Sequence, residues 1–257
     1  MAAVLLETKG LSKHFGHFAA NREIDFSVRA GELRAVIGPN GAGKTTFFNV
    51  IAGTIPATAG SILFDGAEVT RVRGSRRVHL GIAKAFQTAN FYADQTVFQN
   101  CRLAALAHVQ GEFALHLFAR STRLSEVDRI AGEALEHLSL GEVWDVRAGD
   151  LSHGDKKRLD IAVALATRPK ILLLDEPVAG MSIDESRKTD ALIRRLAQHI
   201  TVIIIEHDMD LIMGLAETIT VMHQGRILAQ GTPTEIRASE RVQEAYLGGH
   251  AESLGGS

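Results

Sequence analysis

Cysteine is nearly missing from this chain: Cys101 is the only one in 257 residues. An internal disulfide is therefore excluded, and a reducing compartment is the economical expectation. Long hydrophobic runs are missing too. No stretch approaches 18 consecutive apolar residues, so the chain is not expected to span a membrane by itself. The N-terminus lacks a charged-then-apolar signal segment, and no internal repeat or low-complexity tract occurs. The formal net charge is only −2, which supplies no global drive toward nucleic acid or anionic lipid. Any membrane role must come through a partner. What is present is ordinary for a soluble globular protein, 46% hydrophobic and 23% charged. The length suits one α/β domain carrying an inserted subdomain, or two small domains.

The chain is organised around one loop, Gly38-Pro39-Asn40-Gly41-Ala42-Gly43-Lys44-Thr45-Thr46, which fits G-x-x-x-x-G-K-[ST]. An apolar run over 33–37 precedes it and a helix-forming run over 47–52 follows. That strand-loop-helix context separates a phosphate-binding loop from a chance match. The glycines let consecutive backbone N–H groups face inward, where a β-carbon would obstruct phosphate oxygens. The following helix adds its positive end, Lys44 reaches the outer phosphates as a mobile charge, and the Thr45 hydroxyl is placed to hold Mg²⁺.

Two further strands carry polar groups at their ends. Ile171-Leu172-Leu173-Leu174 reads as a buried central parallel strand, and Asp175 and Glu176 follow it directly. Doubly wound sheets place ligands at that end. Beside a phosphate loop, Asp175 becomes the Mg²⁺-side carboxylate and Glu176 the base for water. Thr201-Val202-Ile203-Ile204-Ile205 repeats the pattern and ends at Glu206-His207. A lone histidine is usually structural, but its strand-end position, matching that of Asp175, makes His207 a site candidate.

The remaining chain is read more coarsely. Strands are expected over 24–29, 61–64 and 81–86, with Gln87 at the end of the last. Helices are expected over 96–108, 112–119 and 124–138, with apolar residues at helical spacing through Leu124, Val127, Ile130, Leu135 and Leu138. Cys101 is read as helix packing. Ser152 with Asp155 three residues on resembles a capping box, which marks a helix start and an anion-binding end. Lys156, Lys157 and Arg158 are read as a solvated face. Arg71, Arg73, Arg76 and Arg77 form a basic cluster, either a solvated helix face or a nucleic-acid patch. Phe15 either stacks on a nucleotide base or is a β-core aromatic. A terminal hairpin spans 218–230, and Thr232-Pro233-Thr234-Glu235 opens a helix expected to end near Gly248.

Assembled, these residues resemble the ATP-binding-cassette ATPases over essentially the whole chain, with the motifs in that family's order. The resemblance implies a P-loop NTPase (RecA-like) α/β fold with an N-terminal antiparallel β subdomain and an inserted helical subdomain. It implies one cassette domain over 1–248, with core and β subdomain in 1–87 and 153–248, a helical subdomain at 88–152, and a flexible tail at 249–257. Phe15 matches the adenine-stacking aromatic, and Gly38 through Thr46 the Walker A loop. Gln87 matches the glutamine that contacts Mg²⁺ and senses the transmembrane partner. Asp175 matches the Walker B aspartate, Glu176 the catalytic glutamate and His207 the switch histidine. Leu151-Ser152-His153-Gly154-Asp155 stands where the family signature reads Leu-Ser-Gly-Gly-Gln, so Ser152 and Gly154, the phosphate-contacting pair, are kept. Ala179-Gly180-Met181-Ser182 stands where Ser-Ala-Leu-Asp is usual, which leaves the family's cross-dimer aspartate unassigned.

Pro177-Val178-Ala179-Gly180-Met181 and Ala245-Tyr246-Leu247-Gly248 are similar to the ATPases of branched-chain amino acid and urea uptake systems. The resemblance implies ATP and Mg²⁺ as ligands and a second cassette, identical or not, whose signature helix acts in trans. It further implies a transmembrane permease at the cytoplasmic face of the membrane, and no nucleic acid. The alternatives are the ATPase of a lipid or lipopolysaccharide exporter, which shares every catalytic motif, or a non-transport cassette ATPase. Against the latter, long heptads and a second phosphate loop are both lacking. A P-loop small-molecule kinase would lack the 151–155 signature and the His207 strand end.

Overall fold

The computed structural model describes residues 3–85, 91–110, 120–206 and 209–252. In chain order the elements are β1 (Val4–Phe15), β2 (Phe18–Arg29), β3 (Leu33–Ile37), α1 (Lys44–Ala52), β4 (Ala59–Phe64), β5 (Ala67–Glu68), α2 (Gly74–Leu80) and β6 (Ile82–Ala85). They continue with α3 (Val97–Gln110), α4 (Arg120–His137), α5 (His153–Leu165), β7 (Ile171–Asp175), α6 (Ile183–Ala197) and β8 (Thr201–Ile205). The chain closes with α7 (Met209–Leu215), β9 (Thr218–His223), β10 (Arg226–Gly231), α8 (Pro233–Ala238) and α9 (Glu240–Glu252). Two compact units result: Met1–Gly74 with Thr201–Ser257, and Ser75–Ile200.

The first unit holds two sheets. One is antiparallel in the order β2-β1-β4-β5. Its β2 strand alternates buried Ile24, Phe26 and Val28 with exposed neighbours, as a half-buried strand must. The other runs β10-β9-β3-β8, with β3 parallel to both β8 and β9, so that Val36 lies between Ile205 and Thr220. Every residue of β3 and β8 is buried, which matches their near-continuous aliphatic character. Arg34 interrupts the run expected to be apolar. It is accommodated by Glu32 at 2.7 Å, the Thr220 hydroxyl, the Ser27 carbonyl and the face of Phe26. The parallel register carries the end of β3, and hence the phosphate loop, alongside the end of β8.

The second unit pairs β6 with β7 in parallel, Ile82 opposite Ile171 and Ala85 opposite Leu174. Its helices pack through the periodic apolar positions seen in the sequence: Val127, Ile130, Leu135 and Leu138 are all buried. Leu124, expected on the same stripe, is 40% exposed. Cys101 is buried within α3, and burial pushes its thiol up to about 12, so it stays protonated and inert.

Three local expectations are corrected. Residues 233–248 form two helices, not one, because Ser239 adopts an extended conformation (φ −79°, ψ 111°) between α8 and α9. Arg77 is not part of a solvated face: it is 1% exposed and desolvation lowers its pKa to about 10, whereas Arg71, Arg73 and Arg76 are exposed. Arg158 is only part-exposed, held by Asp155 and by the Leu138 carbonyl at 3.3 Å. The helix expected over 112–119 lies outside the described residues.

Candidate active site

Backbone packing fixes the phosphate loop within the first unit. Gly43 caps α1 with φ +96°, and a β-carbon there would sit 2.3 Å from the Ala20 carbonyl oxygen. At Gly38, φ +148°, the same atom would lie 2.1 Å from the Met222 carbonyl oxygen. Only glycine fits either place. The loop is tied down by Asn21 Nδ2 donating to the Gly43 carbonyl at 3.0 Å and by the Gly225 N–H donating to the Ala42 carbonyl at 3.0 Å. It is therefore clamped between the β1–β2 hairpin and the β9–β10 turn.

Lys44 is buried and folded back: its Nζ donates to the Gly38 carbonyl at 2.7 Å and the Pro39 carbonyl at 3.0 Å. Those bonds hold the ammonium over the loop, and Thr45 beside it is exposed. Phe15 is 50% exposed and crossed by Lys13 Nζ at 4.9 Å from its ring centroid. A core aromatic is excluded. The ring is presented at the tip of the hairpin whose Asn21 braces Gly43, and Lys13 is paired with Asn21 in that ladder. Burial pushes the Tyr246 phenol, on α9, up to about 12, against an opposing pull from the Gly38 backbone.

The signature and the carboxylate pair lie in the second unit. Ser152 caps α5, accepting from the Asp155 N–H at 3.1 Å. Half of the expected capping box forms. Ser152 Oγ itself donates to Asp155 Oδ2 at 2.8 Å, and Asp155 also pairs with Arg158. The negative charge that Asp155 adds near the helix end is thus partly neutralised within one turn. Gly154 is buried against α6, where a β-carbon would lie 2.6 Å from Glu185 Oε1. His153 Nε2 lies 3.5 Å from the Ala179 carbonyl, joining the signature to the loop after Glu176. Ser182, unassigned from the sequence, opens α6 with a complete capping box to Glu185, whose pKa these bonds lower.

Asp175 is the last residue of β7 and buried. Glu176 follows at φ +52°, in the left-handed region that few non-glycine residues adopt. Asp175 Oδ2 is 3.1 Å from Lys84 Nζ, and its Oδ1 is buried without a hydrogen-bond partner among the described residues. A buried carboxylate oxygen with unused lone pairs fits a cation or a cation's water. Lys84 was not singled out in the sequence, although the lone charge in an otherwise apolar strand was a visible signal. Gln87 and His207 lie outside the described residues.

A glycine-built phosphate nest with its lysine, a serine-capped signature helix and a strand-end Asp-Glu pair together define an ATP-hydrolysing cassette. The chain belongs to the ABC transporter family: the model described as "ABC transporter" matches residues 21–179. A second, "Branched-chain amino acid ATP-binding cassette transporter", matches 226–252. The chain is 38% identical to the high-affinity branched-chain amino acid transport ATP-binding protein BraF of Pseudomonas aeruginosa, covering 96% of this chain and 99% of BraF. It is 37% identical to LivG of Escherichia coli K12, which carries the same description, over 96% and 99% of the two chains. Among solved structures, a nucleotide-free ATP-binding cassette from an ABC transporter superposes with TM-score 0.82 at 32% identity, covering 95% and 99% of the chains. Among the described residues no helix is long and apolar enough to cross a membrane.

Proposed function

We propose that this ATPase subunit powers the uptake of branched-chain amino acids through a transmembrane permease at the cytoplasmic face of the membrane. The α8–α9 region matching the branched-chain amino acid model supports that substrate class over urea or amides. The single observation carrying the nucleotide chemistry is the phosphate loop, where no side chain fits Gly38 or Gly43 and Lys44 is held over the nest. Exposed Tyr92 and Trp144 offer apolar surface for a partner. On this reading, residues 88–152 are the helical subdomain facing the permease.

Two cassettes, identical or not, are read as closing head to tail over two ATP molecules. The nest at 38–46 holds the triphosphate, with Phe15 against adenine. Lys44 exchanges its two loop carbonyls for phosphate oxygens, a substitution of one set of strong acceptors by another. Ser152 and Gly154 of the other cassette bring the positive end of α5 to the γ-phosphate. Thr45, Gln87 and Asp175 are the groups assigned to Mg²⁺, which when bound neutralises phosphate charge. Glu176 takes a proton from water as the water oxygen bonds the γ-phosphorus and the bond to the β–γ bridging oxygen breaks, releasing ADP. His207 is assigned to the γ-phosphate.

The test is reconstitution. The chain is purified with the permease it captures, and uptake of labelled leucine into vesicles is followed with and without internal ATP. ATP-dependent leucine uptake is expected. ATP-driven urea uptake without leucine uptake, or capture of a lipid-exporting partner, would overturn the substrate assignment while leaving the ATPase intact.

A further inference from the structure

Asp175 has a side chain fully shielded from solvent, and an ionised carboxylate there requires a partner. Lys84 supplies one: its side chain is 5% exposed and its Nζ lies 3.1 Å from Oδ2. The β6–β7 register explains the reach. Lys84 stands opposite Leu173, and Leu173 and Asp175 share a face as alternate residues of one strand. The lysine stem spans the advance of two residues, about 6.6 Å at the usual strand rise. The carboxylate is thereby divided, with Oδ2 on an internal ammonium and Oδ1 buried without a partner among the described residues.

We propose that Lys84 is a positioning residue that grips Asp175 through Oδ2, leaves Oδ1 to a divalent cation, and sets its own charge against that cation. The proposal rests on reading Asp175 as the Mg²⁺-side carboxylate. Removing Lys84 then has two effects of opposite sign. The metal-free protein loses the counter-charge of a buried carboxylate, so it melts earlier. The metal loses a repelling neighbour, so it binds more tightly. A lysine with a purely structural role produces only the first effect.

The experiment uses the full chain with ADP and Mn²⁺ as the probe, bound and free metal being counted by electron paramagnetic resonance. Lys84→Met is expected to bind Mn²⁺ at least roughly tenfold more tightly, a lower bound on the scale for charges a few ångströms apart at a protein-like dielectric. Lys84→Arg, which keeps the charge, should stay within about twofold of the parent on the same basis. The melting deficit of Lys84→Met should shrink on adding Mn²⁺ with ADP. Where Lys84→Met fails to fold, Lys84→Gln is read in its place. Unchanged or weaker Mn²⁺ binding in the uncharged variant, with Asp175→Asn losing the metal, overturns the role of Lys84 and keeps that of Asp175. Undiminished Mn²⁺ binding in Asp175→Asn overturns both.

Discussion

Asp155 stands where the signature ordinarily carries glutamine, and replacing it tests the proposal that the signature helix meets a phosphate. Ser152 Oγ donates to Asp155 Oδ2 at 2.8 Å and accepts from the Asp155 N–H at 3.1 Å, so its only proton is engaged. To donate to a phosphate oxygen, the hydroxyl must first leave that carboxylate. A hydrogen bond to a charged group is worth about 1.5–3 kcal/mol, and partial solvent exposure of Asp155 reduces this to about 1 kcal/mol. Asp155→Gln removes the charged acceptor. It also releases Arg158 from its carboxylate partner, adding attraction of the same sign. About 1 kcal/mol is roughly a fivefold change in an equilibrium constant. In a Glu176→Gln background, where ATP is expected to be held, the ATP concentration giving half-maximal dimer by analytical ultracentrifugation should fall about fivefold by that conversion. A half-point that is unchanged or higher, with helix content unaltered by circular dichroism, would refute the claim that Asp155 restrains the serine.

Further substitutions separate the other parts of the machinery. Lys44→Ala should weaken ATP binding by roughly two orders of magnitude, the scale for losing charge-assisted bonds, in a calorimetric titration; retained affinity would remove the lysine from the nest. Glu176→Gln should cut turnover by roughly 10²–10⁴-fold and trap dimers with Mg-ATP on gel filtration. Normal turnover would exclude Glu176 as the base. Gly43→Ala places a β-carbon 2.3 Å from the Ala20 carbonyl at φ +96°, and should cost at least about 1–3 kcal/mol in denaturant melts as well as nucleotide binding. Glu235 closes a capping box with Thr232, and the backbone and hydroxyl bonds from Thr232 lower its pKa. Its stabilisation is therefore full above the ordinary glutamate value of about 4.3 and fades as pH falls through the lowered folded value. Glu235→Gln should melt earlier than the parent at neutral pH and equally at strongly acid pH; a gap persisting in acid contradicts the assignment.

Elements written in local pattern were legible from the sequence. The phosphate loop, the largely aliphatic strands β7 and β8, the terminal hairpin and the Thr232 cap each declare themselves within a few residues. What escaped depends on pairing across the chain. Arg34 looked like part of an apolar run because Glu32, Thr220 and the Phe26 ring, which make its burial tolerable, meet only in the fold. Arg77 and Arg158 looked solvated for the same reason, since a run of basic residues says nothing about which one turns inward. Phe15 could be weighed but not resolved, as exposure at a hairpin tip follows from the β1–β2 register and not from its neighbours. The break at Ser239 left no proline or glycine to announce it.

Three polar groups assigned to nucleotide chemistry share one arrangement. Lys44 rests on the carbonyls of its own loop, Asp175 on Lys84, and Ser152 on Asp155, which in turn meets Arg158. Each has an internal partner before any ligand arrives, with only Asp175 Oδ1 left over among the described residues, so the nucleotide-free fold carries few unpaired charges in buried places. Binding is then an exchange of partners, and its free energy is the difference between an internal bond and one to phosphate or metal. Such differences are small compared with either bond alone. On the proposed cycle, in which ADP is released and the dimer reopens at every turnover, that smallness is useful. A cassette whose lysine and aspartate waited without partners would bind more tightly and turn over more slowly. Weakening one internal partner at a time, at Lys84 or Asp155, should therefore move ligand affinity upward, whereas removing the functional group itself moves it down. That opposition of sign separates restraining residues from contacting ones.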